Sequence, residues 1–276
     1  MPHAAEVRRG ERFSFGDNWR EFLSLVDEDR IASAEQSVVD MLGCSDLAGC
    51  RFLDVGSGSG LFSLAARNLG AVVTSFDYDP SSVECTRQLK RRYHPNAEEW
   101  TITEGSALDE DFIGGLGTFD VVYSWGVLHH TGDMWRAIDV VQRAVADGGR
   151  IFLSIYNDQG RSSRMWLKVK KKYVESGPVA QGLLVAGTNA LFKGRVLPFR
   201  LYGRLRGSKP ENAPRARGMD AQRDLIDWVG GYPFEVAKPE DIFRFFRDRG
   251  FTLDELTTCG GGLALNIRMP HARACR

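Results

Sequence analysis

The chain has 276 residues, 43% of them hydrophobic, with 36 Lys and Arg balanced by 36 Asp and Glu. That supply supports one large or one decorated globular domain with a full core. No apolar run reaches the roughly 18 residues that a spanning helix needs, and Met1 to Arg12 lacks an apolar leader core, so a cytoplasmic location is expected. The cysteines Cys44, Cys50, Cys85, Cys259 and Cys275 are odd in number and far apart, which argues against a disulfide framework and against a zinc site.

In chain order, Phe13 to Phe22 is unusually aromatic; docking is the favoured reading for Phe13 and Phe22, while Trp19 stays open as a contact of a lid. A helix is expected over Ile31 to Leu42, then strands and helices alternate: Arg51 to Val55, Leu61 to Leu69, Val72 to Phe76, Ser81 to Arg92, Trp100 to Thr103, Val121 to Ser124, Met134 to Val145 and Arg150 to Ile155. Such alternation means a mainly parallel, doubly wound α/β sheet. After Tyr156 the pattern changes to a basic amphipathic stretch, an apolar stretch from Val179 to Phe192 and a turn-rich Gly207 to Gly218. It resumes with a helix over Pro239 to Arg249 and strands over Phe251 to Leu256 and Leu263 to Arg268. Gly160 to Arg217 carries fourteen Lys or Arg against Glu175 and Glu211, a basic appendage on an acidic core.

The most informative stretch is Asp54-Val-Gly56-Ser57-Gly58-Ser-Gly60, where an apolar strand enters a glycine turn that opens a helix. The glycines permit a tight turn and leave no Cβ between backbone and ligand. A dinucleotide fold wants glycine or alanine where Leu61 stands, so the loop suits a nucleoside ligand without phosphates and disfavours a nicotinamide dehydrogenase. Asp77, about 20 residues beyond the turn at the tip of the second strand, is placed to hold two ribose hydroxyls.

From these residues the chain resembles the class I S-adenosylmethionine-dependent methyltransferases. Asp54 to Gly60 is similar to their first motif, Phe76-Asp77-Tyr78-Asp79 to their second, and Glu104-Gly-Ser106-Ala107-Leu-Asp109 to the loop bordering adenine. Phe119 to His130, with Trp125, is similar to the fourth motif, which faces donor and acceptor. The resemblance covers about residues 50 to 156 and implies a Rossmann-like sheet of seven strands, ending in a hairpin, with a helical insertion after strand five. It implies S-adenosylmethionine as cofactor, with S-adenosylhomocysteine as product, and leaves the acceptor open. The expected division is an N-terminal helical lid (1–45), a donor-binding core (46–159), a basic helical insertion serving as acceptor lid (160–235) and the C-terminal part of the core (236–276).

Methyl transfer from a sulfonium is an in-line displacement, so positioning and exclusion of water supply most of the acceleration and no metal is required. A hydroxyl or amine acceptor must also lose a proton, which makes His129, His130 and Asp158 candidate bases. Each has a structural alternative: the histidines can pack on the loop, and Asp158 can cap the next helix. The donor-binding candidates are Asp54, Gly56, Ser57, Gly58, Gly60, Asp77, Tyr78, Ser106, Ala107, Trp125 and Trp19; Trp125 can equally be a core residue. Asp227-Trp228-Val-Gly-Gly231-Tyr232-Pro-Phe-Glu235 resembles a segment recurrent in bacterial small-molecule methyltransferases, and Tyr232, Glu235 and Asn157 are candidate acceptor contacts. The leading expectation is O-methylation of a small molecule. N-methylation, tRNA methylation guided by the basic insertion, and ligand binding without turnover are the alternatives.

Overall fold

The computed structural model describes residues 2–205, 221–259 and 262–268. The turn-rich Gly207 to Gly218 and the tail after Arg268 lie outside the described residues. Helices α1 (Pro2–Arg8), α2 (Phe15–Phe22) and α3 (Glu28–Leu42) precede the sheet. Then come β1 (Arg51–Val55), α4 (Leu61–Asn68), β2 (Val72–Asp77), α5 (Pro80–Tyr93), β3 (Trp100–Glu104), α6 (Glu110–Gly115), β4 (Phe119–Trp125), α7 (Met134–Val141) and β5 (Val145–Tyr156). Helices α8 (Arg161–Val174), α9 (Pro178–Leu205) and α10 (Ala221–Gly230) follow, before α11 (Pro239–Arg247), β6 (Thr252–Cys259) and β7 (Gly262–Arg268).

The strands lie in the order β3-β2-β1-β4-β5-β7-β6. Pairings among β3, β2, β1, β4 and β5 are parallel, whereas β7 runs antiparallel between β5 and β6. Parallel strands buried on both faces read as near-continuous apolar runs, and alternate residues go to opposite sides. Phe52, Val73, Val121, Tyr123 and Phe152 pack toward Ala34 and Val38 of α3 and Leu64 of α4. Leu53, Val55, Val122 and Leu153 pack toward Ile138 of α7 and Ile242 and Phe246 of α11. Strand order reverses between β1 and β4, so their carboxyl ends open a crevice at the point where a ligand binds in such sheets.

Local chemistry explains the boundaries. Asp27 accepts the Arg30 amide at 2.9 Å to start α3, and Gly43, with φ of 60°, ends it. Asp79 accepts the Ser81 amide at 2.9 Å ahead of Pro80, so α5 starts one residue earlier than expected. The expected helix from Met134 to Val145 is shorter than its spacing implied. It stops at Val141, a 3-10 turn spans Gln142–Ala144, and Val145 already belongs to β5, paired with Phe119. The apolar residues at its end are buried by the sheet, so tertiary packing overrides the helical period.

Candidate active site

A cavity of about 880 Å³ opens at the reversal of strand order. It collects most of the donor-binding candidates: Asp54, Gly56, Ser57, Gly58, Asp77, Tyr78, Ser106, Ala107, Trp125 and Trp19, together with His130. Gly60 is not in the wall. With φ of 83°, it sits where a Cβ would come within 2.7 Å of the Thr86 backbone, so it serves the contact between α4 and α5.

The other loop glycines correct an expectation as well. A Cβ on Gly56 would lie 2.4 Å from the Val127 side chain, and one on Gly58 would lie 3.0 Å from the Trp19 indole nitrogen. The space left by the missing side chains is used by the protein itself. The loop is tight because Val127, Thr86 and Trp19 close on it from three sides.

Asp54 ends a buried hydrogen-bond chain. The Trp100 indole donates to Ser75 Oγ at 2.9 Å, Ser75 donates to Ser63 Oγ at 2.8 Å, and Ser63 donates to Asp54 Oδ2 at 2.5 Å. Asp77 Oδ2 accepts the Gly58 amide and Oδ1 the Asp79 amide, both at 2.9 Å. It is therefore a strut between the tip of β2 and the glycine loop, with acceptor capacity left for a ligand. Burial pushes the Asp54 carboxyl up to about 7, with the Ser63 hydrogen bond opposing and Asp77 reinforcing. Burial likewise raises Asp77 to about 6, against the amides of Asp79 and Gly58. Asp54 is buried and Asp77 half-buried, and two carboxyls raised together make a site that favours a cationic ligand, because a positive charge would restore their ionised forms.

The N-terminal segment crosses the mouth. Glu6 Oε1 accepts from the Tyr78 hydroxyl at 2.9 Å and Oε2 from Arg12 at 2.8 Å. Arg12 also donates to the His130 carbonyl at 2.7 Å, and Gly16 N–H donates to Asp79 at 2.8 Å. One short segment thus joins the end of β2 to the loop after β4. His3, Glu6 and Arg12 line the cavity, and sequence reasoning missed them because a polar segment ahead of the sheet carries no motif. Phe22 is buried in the core, in keeping with a docking role.

At the far end the cavity is bounded by Trp125, Phe152, Ser154 and Tyr156 of the sheet, Glu255 and Thr257 of β6, and Asp227 and Trp228 of α10. Trp125 stacks on Phe152 at 5.6 Å and Phe152 on Tyr123 at 5.4 Å, with interplanar angles of 11° and 13°. Trp125 is thus both a wall of the cavity and a packed residue.

Five further candidates are absent from this wall. His129 is 1% exposed, its ring lies 4.1 Å from that of Tyr156, and neither of its nitrogens has a hydrogen-bond partner. Burial holds it far below the ordinary histidine range, so it is a neutral packing residue. Asp158 turns back to accept the Gly160 amide at 2.7 Å, which closes the turn into α8. Asn157 bridges to Ala237. Glu235 accepts the Met134 amide at 2.9 Å and caps α7. The Tyr232 carbonyl accepts from Phe13 N–H at 2.8 Å, which ties the N-terminal segment down. In the segment around the two glycines, the cavity is faced by Asp227 and Trp228 at its start, not by Tyr232 and Glu235 at its end.

His130 does reach the cavity. Its Nδ1 pairs with the Pro233 carbonyl at 2.6 Å, which makes Nδ1 the protonated nitrogen and leaves Nε2 an acceptor. Burial and the nearby Lys170 lower it to about 3, so it is neutral at working pH. Lys170 itself, from α8, is 0% exposed. Its ammonium donates to the Trp228 carbonyl and lies 5.4, 4.7 and 4.8 Å from the ring centres of Tyr156, Trp228 and Phe234.

Residues 53–151 match a family described as a methyltransferase domain. The match spans β1 to the start of β5, the stretch that carries the glycine loop and the reversal of strand order, and marks it as a methyltransferase domain. Among relatives, a ubiquinone biosynthesis O-methyltransferase of Xanthomonas oryzae pv. oryzae is 35% identical over 113 residues, 41% of this chain and 45% of the relative. The chain spans about half the length, or less, of such relatives. Among solved structures, magnesium protoporphyrin IX methyltransferase from Synechocystis PCC 6803, with bound SAH, superimposes with a TM-score of 0.52 at 17% identity, covering 91% of this chain and 93% of that one. An O-methyltransferase family protein from Burkholderia thailandensis gives 0.54 at 13% identity, covering 99% and 68%. At such identities these two speak for the fold alone.

Proposed function

We propose that the protein transfers a methyl group from S-adenosylmethionine to a hydroxyl of a small molecule. The observation that carries this reading is one continuous cavity running from the glycine loop, with Asp54 buried and Asp77 half-buried beside it and both carboxyls raised, to an aromatic chamber under the insertion helices. Asp77 would hold the ribose through its remaining lone pairs, Asp54 and the loop amides the amino-acid end, and Ser106 and Ala107 the adenine. The residues fit such a group because two raised carboxyls stand beside the glycine loop in the cavity wall, where a cationic ligand would restore their charge. When bound, the cofactor supplies an electrophilic methyl on sulfur.

The chain's own contribution is placement and dryness. Trp19, Arg12 and Glu6 roof the donor end, while Trp125, Phe152 and Tyr156 give the acceptor an apolar floor. His130 lines the cavity as a neutral ring with Nε2 unprotonated, and its low pKa makes it unsuited to take a proton. The curated relatives named for ubiquinone biosynthesis act as O-methyltransferases, which supports oxygen over nitrogen as the nucleophile. Residues 1–45 would act as the donor-side lid and 160–235 as the acceptor-side lid.

The test is to incubate the purified protein with methyl-labelled S-adenosylmethionine and a small-molecule extract, then search for labelled product by mass spectrometry. Label on an oxygen of a small molecule is the expected result. Label confined to RNA, or calorimetry showing no uptake of S-adenosylmethionine or S-adenosylhomocysteine, would overturn the reading.

A further inference from the structure

A buried lysine behind the acceptor chamber has no place in donor binding. Lys170 reaches from α8 through the apolar interior to the end of α10, where Trp228 takes its hydrogen bond and Tyr156, Trp228 and Phe234 surround it. A lysine fully withdrawn from water is rare without a charged partner. The charge that acts on it is Asp227, one residue before Trp228, and Asp227 lines the cavity. The insertion thus delivers a carboxylate to the acceptor side with a cation behind it.

We propose that Asp227 is the group that binds the acceptor hydroxyl and takes its proton, and that Lys170 is a positioning residue that keeps this carboxylate ionised and in place. This rests on the methyl-transfer reading above. As the acceptor oxygen bonds to the methyl carbon, the carbon–sulfur bond breaks with its electron pair going to sulfur. The acceptor proton passes to Asp227, which later returns it to water. The sulfonium charge is thereby exchanged for a proton, and no other reactant is needed.

The histidines and tyrosines around the chamber are poor proton acceptors, whereas Asp227 is the carboxylate on which the buried Lys170 acts. His130, after β4, is lowered to about 3, and His129 beside it is walled off and held well below the ordinary histidine range by burial. Tyr156 of β5 meets Lys170 with its ring face, and Tyr173, on α8 itself, is raised by burial and by Asp227, so it stays protonated. Burial lowers Lys170 to about 7, while Asp227 raises it. The pair therefore responds as a unit, and loss of either charge must move the titration of the other.

Two measurements on the full chain separate this proposal from the reading beneath it. The first follows label transfer into whatever small-molecule product the wild type forms. Asp227→Asn should lower kcat by at least about 100-fold, with the Kd for S-adenosylhomocysteine changed less than about twofold. Lys170→Met should move the acidic limb of kcat to higher pH by about one unit, and Lys170→Arg should restore it. The second needs no acceptor: the titration of Lys170, followed by NMR of Cε-labelled lysine, should shift to lower pH in Asp227→Asn. Full kcat in Asp227→Asn, or an unmoved lysine titration, would overturn the proposal. A wild type that binds S-adenosylhomocysteine yet labels nothing would remove the methyl-transfer reading, and the proton-transfer role with it.

Discussion

The donor half and the acceptor half of the cavity are built by different means. The donor half is made by contiguous loops at strand ends, each tied to the next by backbone amides: Asp77 to Gly58, Asp79 to Gly16, Gly105 to the Asp77 carbonyl. The acceptor half is assembled from β4, β5, β6 and α10, with α8 behind them, segments far apart in the chain and joined mainly by rings and one buried lysine. A nucleoside of fixed shape can be met by a fixed loop. An acceptor that varies from enzyme to enzyme is met by an insertion, the part of a fold most free to change.

The largest expected effect tests the donor half. Asp77→Ala removes both the strut to the glycine loop and the proposed ribose contact, so S-adenosylhomocysteine affinity should fall by at least about 100-fold by calorimetry. Circular dichroism should still show a folded sheet, because Asp77 stands at the end of β2 and outside the apolar core. An affinity within about threefold of wild type would mean that the loop amides alone hold the donor.

A second prediction concerns charge. Asp54 and Asp77 titrate near 7 and 6 in the free protein, above their unfolded values. Between about pH 4 and 7 the folded state therefore binds more protons than the unfolded chain, and the stability these groups contribute is lost as pH rises through that window. A cationic donor that favours the ionised forms reverses the sign. S-adenosylmethionine should bind about tenfold more tightly relative to uncharged-sulfur S-adenosylhomocysteine at pH 8 than at pH 5. A ratio independent of pH would show that the aspartates do not sense the sulfonium.

These two cases show what could be read from the chain beforehand. The glycine loop, Asp54 and Asp77 stand in one strand-turn-helix context, where spacing along the chain is also proximity in space. The insertion offers no such shortcut. Tyr232 and Glu235 share a segment with Asp227 and Trp228, and only packing decides which end faces the cavity. Glu235 is taken by the amide of Met134, and the Tyr232 carbonyl by Phe13, both distant in sequence. Lys170 belongs by sequence to a basic amphipathic stretch, yet α8 turns it inward while Arg164, Lys168, Lys171 and Lys172 stay exposed.

A smaller effect is expected from Ser63→Ala. Ser63 links Asp54 to Ser75 and Trp100, and its loss removes the one hydrogen bond that lowers the Asp54 carboxyl. Asp54 should then titrate still higher, and S-adenosylmethionine affinity at pH 7 should drop by about three- to tenfold, recovering at pH 9. Failure to recover at high pH would mean that Ser63 acts through packing and not through ionisation.

The smallest effect should come from the exposed basic face of α8, and its smallness separates two acceptor classes. Arg161, Arg164 and Lys168 border a shallow groove on the surface, away from the residues that line the main cavity. For a small acceptor enclosed beneath α10, Arg164→Ala with Lys168→Ala should leave kcat/KM within about twofold, since surface substitutions of this kind rarely disturb a buried site. For an RNA acceptor the same pair would free bound phosphates, weaken binding at every sequence and flatten the salt dependence by about 0.7 for each phosphate released on a single strand. The inward lysine of that helix and its outward neighbours thus predict opposite outcomes: Lys170 governs turnover without touching solvent, and the residues that do touch solvent leave turnover unchanged.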